Sequence, residues 1–258
     1  MQTRQADGSA GDANYGVLGK SYSFYRQPDP RIAAVIEQAL GDARSVLNVG
    51  AGAGSYEPVD REVVAVEPSA TMREQRPPYL SRAIDAAVES LPFPDRHFDA
   101  SMGTFTVHQW SDLEKGLREM RRVTRGPVVL MTCDPREVQA FWLNDYAPEV
   151  LSTEARRYPA IDVIARLLGG TSEVSVVPIP LDCRDGFNEA YYGRPEKLLE
   201  EGARQSCSAW SFPEASRVER YVRHIHDALR SGEWDEKYGK LRSQPWYSGS
   251  LRLIASWP

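Results

Sequence analysis

An α/β domain built on a mainly parallel sheet is the fold class that the sequence predicts, and three observations carry it. The run Arg44 to Val49 is short and aliphatic and stops at Gly50; a second, Glu62 to Val66, ends on the acid Glu67; helical patterns alternate with further apolar runs downstream. Strands that alternate with helices pack as parallel sheets covered on both faces. At 258 residues the chain fits one elaborated domain of this class.

The loop between the first two strands carries the functional signal. Gly50, Ala51, Gly52, Ala53 and Gly54 have almost no side-chain bulk, so the backbone can turn tightly and let a ligand approach its amides. Residues 50 to 61 are close to the minimum of roughly a dozen that a parallel crossover needs, and Pro58 and Asp60 leave room only for a stub of helix. Glu67 falls at the carboxyl end of the neighbouring strand, where a carboxylate accepts from both hydroxyls of a ribose. A nucleoside site follows. A dinucleotide fingerprint needs G-x-G-x-x-G opening a full helix; here Gly54 comes one place early, and a pyrophosphate would lack its helix N-terminus.

VLNVGAGAGS followed by VVAVEPSATM resembles the first two motifs of the class I S-adenosylmethionine-dependent methyltransferases, in their small-molecule type 11 (UbiE-like) group. AAVESLPFPDRHFDASMGTFTVHQW (86–110) resembles the family's adenine-side loop and fourth strand, and LREMRRVTRGPVVLMT (117–132) its next helix and fifth strand. The ordered set covers about half the chain. It implies a Rossmann-like sheet of seven strands, mainly parallel with a last antiparallel strand, helices on both faces and a helical cap. It also implies S-adenosyl-L-methionine as cofactor and a small-molecule acceptor.

By the same resemblance the cofactor set is Tyr22, Arg26, Gly50, Ala51, Gly52, Glu67, Pro68, Met72, Val88, Glu89, Thr104 and Phe105. The segment containing Tyr15, Tyr22, Tyr25 and Arg26 resembles one that folds over the cofactor in relatives, with the arginine on the methionyl carboxylate, a contact that suits a planar guanidinium. The plain alternative is a surface turn capped by Arg26. Met72 is placed to pack on a flat ring beside Glu67, or simply fills the core. Relatives often carry an Asp for the adenine amine where this chain has Ala87, so the Val88 backbone or the Glu89 carboxylate takes that place.

Composition bounds the partners. A net charge of -5 gives no basic footprint for nucleic acid or an anionic membrane, and hydrophobic content of 41% is ordinary for a soluble protein. No apolar run reaches membrane-spanning length and the first residues lack a signal-like apolar segment, so a cytoplasmic monomer or homodimer is expected. Cys133, Cys183 and Cys207 have no paired spacing, which argues against a disulfide framework or a zinc site, and no metal is expected. Three thiols could meet around a soft ligand such as a trivalent arsenical, but free Cys is more commonly a small buried hydrophobe.

In chain order, residues 1–14 read as a disordered tail and 15–258 as the methyltransferase domain, with 15–28 a cap segment. Asp29 and Pro30 cap a helix whose Ile32, Val35, Ile36 and Leu40 share a face before Gly41 ends it. Arg82 to Val88 reads as a weak third strand and Phe98 to Phe105 as the fourth. Ser111 and Glu114 match a capping box, ahead of an apolar face of Leu113, Leu117, Met120 and Val123, with Arg118, Arg121 and Arg122 on the solvated side. Pro127 to Thr132 is a fifth strand, Glu173 to Ile179 a sixth and Ser250 to Trp257 a last; Glu137 to Tyr146 and Ala160 to Leu168 have helical periodicity. Residues 136–170 and 181–249 read as substrate-side insertions, the second a mostly helical lid that excludes water, with Tyr191, Tyr192, Arg194 and Trp210 as lining or as core. His224 and His226, two apart on a helix, point in different directions and make a poor metal pair.

His108 follows the fourth strand at the sheet edge where α/β proteins bind ligands. A near-neutral imidazole there can take a proton from a hydroxyl, an amine or an acidic carbon; the alternative is a packed, hydrogen-bonded ring. Two rivals remain. A nicotinamide-dependent oxidoreductase is opposed by Gly54 and the stub helix. A protein that binds the cofactor without transferring methyl, as a cyclase or regulator, is separated only by turnover.

Overall fold

The computed structural model describes residues 22–258, so the expected tail and Tyr15 lie outside the described residues. After a short helix, α1 (Tyr22–Tyr25), comes α2 (Pro30–Leu40), which starts as the capping rules predict: the Asp29 side chain accepts from the Arg31 N–H and proline takes the first turn. Then follow β1 (Ser45–Val49), β2 (Glu62–Val66), α3 (Ala70–Glu74), β3 (Ala100–Thr104), α4 (Leu113–Val123) and β4 (Val128–Cys133). Beyond them lie α5 (Pro148–Arg157), α6 (Ile161–Leu168), β5 (Thr171–Val176), β6 (Ile179–Pro180), α7 (Glu201–Gln205), α8 (Ala215–Ser231), α9 (Glu233–Tyr238), β7 (Trp246–Tyr247) and β8 (Leu251–Trp257).

Among the described residues the main sheet has six strands in the order β2-β1-β3-β4-β8-β5, with β8 antiparallel to both neighbours and the first four parallel; β6 and β7 pair separately. The chain is thus Rossmann-like and mainly parallel. The expected third strand, Arg82 to Val88, which would have brought the sheet to seven, contracts to one parallel bridge between Ile84 and Val66. Ile84 donates to Ala65 and accepts from Glu67, but Pro77 and Pro78 precede it and the chain turns into a 3₁₀ turn at Val88–Ser90, so no ladder can extend.

Alternate strand residues feed two cores. Val46, Met102, Val129 and Met131 pack with Ile32, Ile36 and Leu40 of α2 on one face, while Leu47, Val49, Leu130 and Ile254 pack with Leu117, Met120 and Val123 of α4 on the other. Each such side chain is worth about 1.5–3 kcal/mol relative to exposure, which explains why these strands read as continuous apolar runs.

Three local readings are corrected. The capping box does not form: Asp112 caps α4 by accepting from Lys115 N–H, while Ser111 N–H donates to Glu89. Arg121 is not on a solvated face, since its guanidinium reaches the Gly126 and Ser256 carbonyls and ties α4 to β8. Glu137 to Tyr146 is two 3₁₀ turns, Val138–Ala140 and Trp142–Asp145, and the helix comes later, as α5. Its signals were in the sequence: Pro148 at the first position and Arg156 and Arg157 in the last turn. No helix among the described residues is long and apolar enough to cross a membrane.

Candidate functional site: two neighbouring cavities at the carboxyl edge

Because β1, β2 and β3 run parallel, their carboxyl ends deliver Gly50, Glu67 and Phe105 to one edge of the sheet. A cavity of about 810 Å³ opens there. Gly50, Ala51 and Gly52 form one wall, with no helix between β1 and β2, only turns. Gly50 has a φ of 61°, and a Cβ on it would lie 2.0 Å from Thr106 Oγ1, so close packing and a left-handed backbone both require glycine.

Glu67, Pro68 and Met72 form the next wall. The Glu67 carboxylate is 8% exposed and accepts from two backbone amides, Gly52 to Oε2 and Ser69 to Oε1, both at 2.8 Å. Burial still raises its pKa above the usual carboxylate value, because the two amides offset desolvation only in part. Each oxygen keeps a further lone pair, so the carboxylate can accept two ligand hydroxyls as well. That spare capacity fits a pair of ribose hydroxyls. Buried Met72 brings its methyl near Gly52, where a Cβ would stand 3.3 Å from it.

Val88 and Glu89 lie on the far wall, and Thr104 and Phe105 close the floor. Glu89 is already engaged, its Oε1 accepting from Ser111 N–H, Ser111 Oγ and Asp112 N–H. Phe105 sits at a φ of 51°, a strained conformation for an aromatic residue, at the point where the strand gives way to the ligand loop.

A second cavity, of about 440 Å³, shares Tyr22 and Phe105 with the first. Arg26 and His108 line this one rather than the first. Arg26 is held by Asp185 through a buried two-point ion pair and lies over the Phe105 ring. The same segment is stitched to the late insertion by the Gly186 N–H donating to Tyr25 O at 2.8 Å. His108 packs against Tyr158, with ring centroids 4.7 Å apart, and its Nδ1 is shielded from solvent with no hydrogen-bond partner among the described residues. Burial, and then the positive charges of Arg157 and Arg26, hold the imidazole well below its ordinary pKa. Glu154, to which Asn188 donates at 2.7 Å, is pushed up by burial.

Sequence reasoning missed Arg157, Glu154 and Asn188, which arrive from α5 and a 3₁₀ turn. It also missed Gln109 and Trp110 on the first cavity, although both stand beside His108 in TVHQW. Of the residues read as lid lining, Tyr191, Tyr192 and Trp210 are core, and Arg194 donates to the Cys183 and Ala190 carbonyls. The cysteines are free and buried, and burial pushes Cys183 and Cys207 up to about 12, so both are protonated fillers and not nucleophiles. His224 packs at a tilt against Tyr146 while His226 meets Asp227, and among the described residues no three His, Cys, Asp or Glu gather as a metal site.

Comparison with known proteins gives the family. A family model described as a methyltransferase domain matches residues 47–131. The crystal structure of a candidate methyltransferase from an antibiotic biosynthesis pathway of Anabaena variabilis superposes with a TM-score of 0.83 at 31% identity, over 90% of this chain and 98% of that one. An uncharacterized methyltransferase of Bacillus subtilis is 33% identical over 40% of this chain and 42% of its own length. A malonyl-[acyl-carrier protein] O-methyltransferase of Pseudescherichia vulneris is 30% identical over 44% and 48%. The chain therefore spans about half the length of the curated relatives it matches. It belongs to the class I S-adenosylmethionine-dependent methyltransferases.

Proposed function

We propose that the protein binds S-adenosyl-L-methionine in the first cavity and transfers its methyl group to a small polar acceptor held in the second. The observation that carries this reading is that the two cavities share Tyr22 and Phe105 in their linings, with Glu67 lining the first and His108 the second. When bound, the cofactor supplies an electrophilic methyl on a sulfonium. This chain's part is to hold the ribose on Glu67, aim the methyl at the shared wall and keep water out, since positioning supplies most of the rate in such a displacement.

The second cavity suits an acceptor of modest size with polar substituents, given Arg26, Glu154, Arg157 and Asn188 in its lining. His108 is neutral by virtue of burial and its cationic neighbours, so it can take a proton from an acceptor hydroxyl, amine or acidic carbon as the bond to methyl forms. On this reading the segment from Tyr22 to Arg26 and the insertion at 181–249 form a cap over the acceptor, joined by the Arg26–Asp185 pair.

The test is calorimetric titration with S-adenosylhomocysteine, followed by radiolabelled methyl transfer from S-adenosylmethionine to a panel of small polar acceptors. Binding with no labelled product across the panel would favour the non-methylating binder. Tight NADH binding in a fluorescence titration would favour the oxidoreductase.

A further inference from the structure

We infer that Gln109 reads the edge of the cofactor's purine, making the site selective for a 6-aminopurine nucleoside; this rests on the S-adenosylmethionine reading above. Gln109 ends the 3₁₀ turn Val107–Gln109 and lines the first cavity. Its carboxamide nitrogen and oxygen are both shielded from solvent, and neither has a hydrogen-bond partner among the described residues. A buried carboxamide with neither half satisfied is disfavoured unless something else completes it, which marks the place where a ligand would.

Neighbouring hydrogen bonds hold the turn in place. Gln109 N–H donates to Thr106 O at 2.8 Å, Trp110 Nε1 donates to Thr106 Oγ1 at 3.1 Å, and Glu89 holds Ser111 and Asp112 just beyond. Trp110 and Val88 meet over Gly116, where a Cβ would lie 2.9 Å from each. The turn is therefore held against the Val88–Glu89 wall, and Gln109 lines the first cavity but not the second. On that wall Ala87 offers only a methyl group and the Glu89 Oε1 already has three donors. A carboxamide presents one acceptor beside one donor, the complement of an exocyclic amine beside a ring nitrogen on adenine.

The experiment titrates the full chain and its Gln109→Leu and Gln109→Glu variants with S-adenosylhomocysteine and with its analogue lacking the 6-amino group. The wild type should prefer the adenine compound by about 10-fold or more, and Gln109→Leu should lose that preference by binding it about 10- to 100-fold more weakly. Gln109→Glu, which can still accept from the amine, should keep part of it. The ligand-free Gln109→Leu protein should melt no lower than wild type, because the apolar isostere removes two unsatisfied atoms. Equal losses for both ligands overturn the inference, as does unchanged binding with loss of turnover alone, which would put Gln109 on the acceptor. If the wild type binds neither ligand, the cofactor reading fails and this inference with it.

Discussion

Gly52 donates its backbone N–H to Glu67 Oε2 at 2.8 Å, so the acid that ends β2 also fixes the glycine loop that follows β1. One side chain thus shapes the pocket and, on the proposed reading, would offer a ribose its acceptors. We expect Glu67→Ala to lower affinity for S-adenosylhomocysteine by about 2 to 4 kcal/mol, for two charge-assisted hydrogen bonds. Glu67→Gln, which keeps one acceptor, should fall between. Calorimetry on both variants checks this, and undiminished affinity in Glu67→Ala would remove the ribose assignment.

Gly50 and Gly41 separate two costs of adding a methyl group. Both have positive φ, 61° and 57°, but a Cβ on Gly50 strikes Thr106 while one on Gly41 meets nothing within 4 Å. Gly41→Ala should cost about 1–2 kcal/mol for the left-handed backbone. Gly50→Ala should add roughly 1–3 kcal/mol for overpacking and weaken ligand binding. Denaturant melts of the two variants make the comparison, and equal destabilisation would show that the Thr106 contact relaxes freely.

The lining of the first cavity is largely local in sequence, and for that reason much of it was legible there. Gly50 to Gly54, Glu67 and the Asp29–Pro30 cap follow from residue type and spacing over a few positions. The second cavity is not local. Arg26 meets Asp185 across 159 residues, and Glu154 and Asn188 across 34, separations at which no periodicity reports. The third strand failed for a related reason, because an apolar run predicts a strand only where enough backbone is free to pair. Gln109 was a local signal passed over: its neighbour His108 drew the chemical argument, while an uncharged amide shows its meaning only once its burial is known.

Arg26 and Asp185 are 9% and 2% exposed at the side chain, and Tyr56 also donates to Asp185, at 2.9 Å. Removing one partner strands a buried charge. We expect Arg26→Ala to destabilise the fold by about 3 to 5 kcal/mol, read as a lowered denaturant midpoint. Joint replacement as Arg26→Met with Asp185→Asn should recover much of that loss. If Arg26 also meets the methionyl carboxylate in the complex, the double variant should weaken S-adenosylmethionine far more than adenosine; equal losses would leave the arginine with a structural role alone.

Glu189 is buried beneath β8, accepting from Ser250 N–H at 2.9 Å and Ser250 Oγ at 2.9 Å, and burial pushes its pKa up to about 7. Its folded pKa exceeds the unfolded value, so its contribution is fully present below about 4.5 and is lost as pH rises through about 7. Glu189→Gln cannot ionise. Relative to wild type it should gain stability between about pH 4.5 and pH 7, by up to about 1.4 kcal/mol per pH unit in that window. Melting both proteins across the range tests this, and a pH-independent difference would show that Glu189 is ordinary.

His108 has the opposite sign. Burial, Arg157 and Arg26 lower its folded pKa well below the unfolded value of about 6.5, so protonation favours the unfolded chain. Wild-type stability should therefore fall as pH drops below about 6.5 and level off only below the folded pKa, whereas His108→Gln should lack that component. The same shift bears on catalysis. A base with a depressed pKa stays unprotonated through the neutral range, so methyl transfer should vary little between pH 6 and pH 8 on its account and decline only in more acidic solution. His108→Ala should keep its affinity for S-adenosylhomocysteine, since the ring lines the second cavity, and should lose about 10² to 10⁴ in turnover if proton removal is the role. His108→Gln separates the alternatives: it restores little if a proton must be taken and much if a hydrogen bond is enough. Wild-type turnover in both variants would leave the imidazole as packing against Tyr158, a role the stability profile would still report.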